Sequence, residues 1–488
     1  MTAPAAAATP ATDAEAAQKL PLSSLTAMVI GSMVGAGIFN LSGRFATATG
    51  PFGALIAWAI AGTGMYMLAR VFQALAEKRP DIDAGVFAYA KAGFGDYVGF
   101  LSAFGYWLGS CLGNTFYWVL IASTLGRFFP EVFGDGTNPT SIIVSLIGVW
   151  AFHFMILRGV KEATFVNKVV TVAKIVPLIV AVLIFVYFFN YQQFSENFFG
   201  GVGMPEKTLV AQVRDTMLIT VFVFIGIEGA SVYSRFAKKR SDVGAATILG
   251  FVGVTGLMVA ITLLPYATAP RAAIAGVSNP SLAGALELVV GHWGAVFISV
   301  GVLVSVLGAF LAWTLICAEV LFAAGKSNDM PRLFATQNGN EVPTYALWLS
   351  NIVCSLFIIS TYWSRDAFNF MLDMTSVTTL LPYLLVAGYG VLLARSGVGY
   401  ETTPNERGRD QIFAWIAVVY TIFMFVAAGL KYVLLVTVLF APGTILYFWA
   451  RREQNLRLFN PIELGIFAVV LVGAAIGVYG LATGLITP

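Results

Sequence analysis

Charge is what this 488-residue chain has least of. Only 11% of its residues are Asp, Glu, Lys or Arg, against about 25% in an ordinary soluble protein. Histidine occurs twice and cysteine three times. Cys111, Cys317 and Cys354 each sit inside an apolar run, with spacing that fits neither a metal site nor a disulfide framework. Neither His153 nor His292 begins a metal motif, so no metal or cofactor is expected. The net charge of +3 is small, and with so few charges a nucleic-acid binder is excluded. What fills the sequence is apolar: 58% hydrophobic residues and a mean hydropathy of +0.82. Length alone would suggest about two or three soluble domains. Composition rules them out, together with disorder, collagen and coiled coils. An all-α polytopic membrane protein remains, because a helix satisfies its own backbone inside lipid.

Residues 1–18 are rich in Ala, Thr and Pro and carry Asp13 and Glu15. They lack the basic start and apolar run of a signal peptide, so residues 1–20 read as a disordered cytoplasmic tail. Thirteen apolar stretches follow, at 22–47, 51–76, 97–126, 140–157, 163–189, 211–237, 243–268, 293–323, 343–362, 366–394, 411–429, 431–450 and 461–484. Each is near the roughly 20 residues a helix needs to cross a bilayer. With the N-terminus inside, the inner connections hold nineteen Lys and Arg. The outer ones hold five: Arg127, Lys207, Arg271, Arg365 and Lys431. The bias supports a cytoplasmic N-terminus, and an odd span count then places the C-terminus outside. The Asn138-Pro-Thr sequence is no glycosylation acceptor, because of its proline. That is compatible with a bacterial inner membrane.

Two spans read as broken. Span one contains Gly31-Ser-Met-Val-Gly35-Ala-Gly37-Ile-Phe39, and each interior glycine weakens a helix by about 1 kcal/mol. The plain alternative is a small-residue packing face, since Gly31 and Gly35 have the helix-contact spacing. Span six contains Phe224-Ile-Gly226-Ile-Glu228-Gly229-Ala230. A mid-span carboxylate there is costly unless paired or neutralised, so Glu228 is either functional or a buried structural partner. Spans one and six are equivalent members of two five-helix sets, and matched interruptions point to an inverted-repeat transporter. An unwound helix offers N–H groups to a carboxylate and C=O groups to an ammonium. An amino acid carries both at one carbon.

These residues resemble the amino acid–polyamine–organocation superfamily. So do Trp313-Thr-Leu, Leu380-Leu-Pro-Tyr383, Asp83-Ala-Gly-Val-Phe-Ala-Tyr-Ala, Arg158-Gly-Val-Lys-Glu-Ala and Gly325-Lys-Ser-Asn-Asp-Met-Pro-Arg-Leu-Phe. Within it the chain is most similar to the basic amino acid antiporters, particularly the bacterial arginine/ornithine exchangers. The resemblance implies a ten-helix, five-plus-five inverted-repeat core at 21–395, broken at helices 1 and 6, with peripheral helices 11–13 at 396–488. It places the substrate carboxylate at N–H groups around Ala36 and Gly37, and the α-ammonium at carbonyls of Met33, Phe222 and Ile225. Ala36 stands where such proteins often have serine, and Phe222 replaces a gating tryptophan. Asn114 and Thr375 match positions that hydrogen-bond a guanidinium. Tyr106, Glu228 and Tyr383 match a gating and pH-sensing cluster.

Several residues keep two readings. Trp313 is either a lipid-facing or core indole or, by the resemblance, a ring for the substrate cation. Lys174 either snorkels to the inner surface or braces span five against span-one carbonyls in place of sodium. Glu319 and Asp373 either attract cationic substrate or pair with a basic residue. His153 and His292, near span ends, are expected at the membrane interface.

The reading that follows is a sodium-independent secondary transporter, not an enzyme. It exchanges extracellular arginine for intracellular ornithine by alternating access, with lysine as a further substrate. The rival is a proton-coupled lysine/arginine uptake permease. An intramembrane enzyme lacks a Ser-His pair or a His-Glu cluster, and a channel lacks a filter-like loop. The expected partners are small cationic amino acids and the lipid bilayer, with assembly as a homodimer left open.

Overall fold

The computed structural model describes residues 22–82, 86–159, 163–201, 207–228, 240–364 and 366–487. The tail at 1–20, parts of the motifs beginning at Asp83 and Arg158, and Gly229 and Ala230 of the second break lie outside the described residues. So do several of the basic residues used for orientation.

Helices carry the described chain almost throughout. In order, α1 is Leu22–Met33, α2 Leu41–Ala48, α3 Pro51–Lys78, α4 Val86–Phe94, α5 Asp96–Phe128, α6 Pro139–Leu157, α7 Ala163–Tyr187 and α8 Leu209–Phe224. They are followed by α9 at Arg240–Leu263, α10 Ser281–Val290, α11 His292–Lys326, α12 Thr344–Ser360, α13 Ala367–Ser396, α14 Pro404–Glu453 and α15 Pro461–Ala482. Local chemistry sets several starts. The side chains of Asn138, Thr208, Asp366 and Asn460 each accept a backbone N–H in the first turn, and Asn460 with Glu463 forms a reciprocal capping box.

Eight helices among the described residues are individually long and apolar enough to cross a bilayer. The pair Val172–Tyr187 and Tyr191–Asn197, bent by 102°, brings the number to as many as nine. The expected thirteen is therefore not reached by length and apolarity alone. Breaks leave α1, α2 and α8 too short by themselves. Polar residues such as Tyr106, Ser110 and Asn114 dilute α5. The stretches at 411–429 and 431–450 are two helices that meet at a kink at Gly429, with φ of 81°, and α14 covers both.

Burial sorts the helices into centre and rim. Nearly every residue of α5 from Tyr97 to Gly126 is buried, as expected of a helix surrounded by others. Its Gly105, Gly109 and Gly113 face α13. A Cβ on Gly109 would lie 2.8 and 2.9 Å from the hydroxyls of Thr378 and Thr379, so the two backbones approach as small-residue interfaces allow. At the rim, Ile143, Ile147, Val469 and Val472 are exposed, an outer face suited to acyl chains. His153 is buried on α6, and its Nδ1 lies 2.9 Å from Asn351 Nδ2 of α12. Position near a helix end gives depth but not which face a side chain takes.

Both expected breaks are present. Helix α1 stops at Met33, Gly35 is extended, and a 3-10 turn at Ala36–Asn40 leads into α2. Helix α8 stops at Phe224, and Gly226 follows with φ of 106°. A Cβ on Gly226 would fall 2.4 Å from the Ser32 carbonyl oxygen. Only glycine permits this backbone to cross that one, and so the two breaks meet.

Candidate functional site

The meeting of the breaks creates a cleft between α1, the 3-10 turn, α5, α8, α11 and α13. About 490 Å³ of empty space, open solvent at its mouth included, lies between these elements. Met33, Gly37, Tyr106, Phe222, Ile225, Trp313 and Thr375 stand in its wall. Those are seven of the residues singled out from sequence.

The backbone ends in this cleft are unequal. The 3-10 turn begins at Gly35 with no side-chain cap, so its leading N–H groups, at Ala36 and Gly37, suit an anion. Ala36 is buried behind the wall. Phe222 covers Gly37: a Cβ there would come within 2.5 Å of the ring. On the opposite side, Met33 O accepts Gly35 N at 2.9 Å and Phe222 O accepts Ile225 N at 3.2 Å. Each carbonyl retains a second lone pair for an ammonium.

Asn114 is buried beside the wall. Its Nδ2 reaches Thr314 Oγ1 at 3.4 Å and Cys317 Sγ at 3.6 Å, while its Oδ1 has no partner among the described residues. Thr375 donates back to Met371 O at 2.7 Å. Sequence reasoning missed Ser32, Ser110, Tyr117 and Thr379, which also line the cleft. Helical spacing could have found two of them: Ser110 lies one turn from Tyr106, and Thr379 one turn from Thr375.

On one side of the cleft, Glu228 gathers three donors. The hydroxyls of Tyr106 and Tyr383 reach it at 2.5 and 2.7 Å, and the Gly226 N–H at 3.1 Å. Hydrogen bonds of this kind make a buried carboxylate tolerable. The cluster ties α5, the end of α8 and α13 together. On the other side, Arg44 of α2 reaches Asp373 of α13, with Nη2 at 3.1 and 2.8 Å from the two carboxylate oxygens. Tyr432 of α14 donates to the same carboxylate at 2.9 Å. Along α13 the order is Asp373, Thr375, Thr379, Tyr383, so the cleft lies between the ion pair and the Glu228 cluster.

Lys174 is buried on α7, and its Nζ lies 3.4 Å from Gly31 O at the end of α1. Glu319 is exposed on α11, and His292 is exposed at the start of α11, with Nδ1 3.4 Å from Glu287. Among the described residues no group of three or more His, Cys, Asp or Glu is placed to hold a metal.

A family model described as amino acid permease matches residues 20–451. The chain is 47% identical to an arginine/ornithine antiporter of Pseudomonas aeruginosa, over 97% of this chain and 99% of that one. It is 38% identical to an L-lysine transport protein of Corynebacterium glutamicum, over 96% and 97%. It is 36% identical to an arginine/agmatine antiporter of Chlamydia abortus, over 89% and 91%. Among solved structures, MhsT in complex with L-phenylalanine matches at a TM-score of 0.54 and 17% identity, covering 84% of this chain and 99% of that one. That likeness concerns the fold, which is one of broken, inverted-repeat helices.

Proposed function

Because the chain belongs to the amino acid permease family, a family of transporters rather than enzymes, we propose that it exchanges extracellular arginine for intracellular ornithine. Lysine is a further substrate. The observation that carries this reading is the crossing of the two breaks at Gly226 and Ser32. It brings uncapped N–H groups and half-used carbonyls to one cleft, as an α-amino acid needs. Names of the relatives then select the cationic amino acids.

In this reading the N–H groups of Ala36 and Gly37 take the carboxylate, and the carbonyls of Met33, Phe222 and Ile225 take the α-ammonium. Phe222 swings off Gly37 to admit them. Trp313, in the wall, offers its face to the side-chain cation, worth up to about 2 kcal/mol when desolvated. Asn114 supplies the acceptor Oδ1, and Thr375 a hydroxyl. Arg44 with Asp373 closes the outer side, and Tyr106, Glu228 and Tyr383 close the inner side. Residues 21–395 form the transport core and 396–488 the periphery. The N-terminus is cytoplasmic, the C-terminus periplasmic, and the membrane is the bacterial inner membrane.

Lys174 sits where a sodium ion would otherwise find the span-one carbonyls, and its ammonium excludes a metal cation by charge. Exchange is then independent of sodium. Counterflow in proteoliposomes tests the assignment. Ornithine-loaded vesicles are expected to concentrate labelled arginine, and empty vesicles are not. Equal uptake by empty vesicles under a proton gradient would instead favour the proton-coupled lysine/arginine permease.

A further inference from the structure

The second half of α14, residues 431–453, lies outside the ten spans that build the cleft, yet it reaches them at both ends. At one end the Tyr432 hydroxyl donates to Asp373 Oδ2 at 2.9 Å, the oxygen that Arg44 Nη2 reaches at 2.8 Å. At the other end Arg451 Nη1 donates to Asp96 Oδ2 at 2.8 Å, at the start of α5. In between, the Phe440 ring packs so closely on Gly105 of α5 that a Cβ there would lie 2.9 Å from it. This half-helix is therefore a strut that spans the core from face to face.

Its outer end meets Arg44 and Asp373, the pair assigned above to the outer closure. Arg44 is on α2, the outer half of broken span one, and Asp373 is on α13. Their contact is made by one guanidinium nitrogen spread over both oxygens, at 3.1 and 2.8 Å. Arg44 Nε is buried without a partner among the described residues. A contact of this kind lacks the two-nitrogen fork that fixes a carboxylate in direction. The Asp373 side chain, only 5% exposed, has little water to orient it, so its orientation is set by a third group. Gly429, with φ of 81°, turns the chain just before Tyr432 and aims it at Asp373.

We propose that Tyr432 is a positioning residue for the outer closure: it holds the Asp373 carboxylate where Arg44 meets it, and so a helix outside the transport core sets how readily α2 leaves α13. The inference rests on the alternating-access reading and on the inside N-terminus. Tyr432→Phe removes one oxygen and keeps the ring that packs beside Phe370 and Lys431.

The test reads opening of the cleft without using substrate. Thr379→Cys places a reporter thiol in the cleft wall, about 9 Å further along α13 than Asp373. A membrane-impermeant maleimide is applied from outside and, in inverted vesicles, from inside. Protein without the reporter gives the background from the three buried native cysteines. Loss of one hydrogen bond predicts about three- to tenfold faster outside labelling in Tyr432→Phe, with no gain from the inside. Asp373→Asn is expected to do at least as much, and Tyr432→Phe to add nothing on that background. Unchanged labelling, faster labelling from both sides, or an equal increment in both backgrounds would overturn the proposal. If ornithine-driven counterflow fails while this labelling pattern holds, the substrate assignment falls and the latch stands; the reverse outcome removes the latch alone.

Discussion

In the proposed site Trp313 is a wall of the cleft offered to the substrate cation, and Glu228 gathers the cluster on the cleft's other side. Trp313→Leu keeps an apolar wall and removes the ring quadrupole. Arginine affinity is expected to fall about tenfold or more, equivalent to roughly 1.4 kcal/mol. Unchanged affinity in a folded variant would take Trp313 out of the site. Glu228 accepts from two tyrosines and one backbone N–H. Glu228→Gln keeps the shape but turns one acceptor into a donor that faces donors. Exchange of arginine is expected to weaken at least severalfold with folded yield retained; normal exchange would leave the cluster a structural one. Both residues stood out in the sequence, Glu228 because an acid in an apolar span demands an explanation. Tyr432 did not. It is separated from Asp373 by 59 positions, and no spacing rule joins them. The burial of His153 was not legible for a similar reason, since Asn351 comes to it from another helix.

Helix breaks were the most legible elements, because interruptions at matching places in two five-helix sets point to more than a packing face. Their mutual contact was not legible, since it depends on how α1 and α8 cross. Gly226 tests that crossing. Gly226→Ala forces a side chain into φ of 106° and within 2.4 Å of Ser32 O. Backbone strain of this kind costs about 1–3 kcal/mol, so the unfolding temperature is expected to fall by several degrees and exchange to be lost. Gly253→Ala on α9, where a Cβ would meet nothing within 4 Å, is the control and should change neither. A Gly226→Ala protein with parental stability and exchange would mean that the breaks do not meet as described. Lys174 joins α7 to the end of α1 through Gly31 O. Lys174→Ala is expected to slow exchange more than it weakens arginine affinity, because it loosens a brace rather than a substrate contact. An equal loss in both, in sided kinetic measurements, would place the amine at the substrate instead.

At the scale of the whole molecule, composition was enough for the class of protein, and the matched breaks together with the family resemblance for the inverted-repeat fold. The count of spans does not follow from helix length alone, because broken spans fall short and α14 covers two helices joined at Gly429. Arginine and ornithine each carry a single positive charge, so a one-for-one exchange moves no net charge. A membrane potential, worth roughly 2.3 kcal/mol per charge per 100 mV, then neither drives nor opposes it. Uptake by a proton-coupled permease moves charge inward and gains from a negative interior. The measurement that bears most directly on the exchange is arginine uptake into ornithine-loaded proteoliposomes in sodium-free buffer, with and without an imposed potential, inside negative. The expected result is uptake that requires internal ornithine and has the same initial rate at both potentials. Dependence on sodium, or uptake without ornithine that grows with the potential, would contradict it.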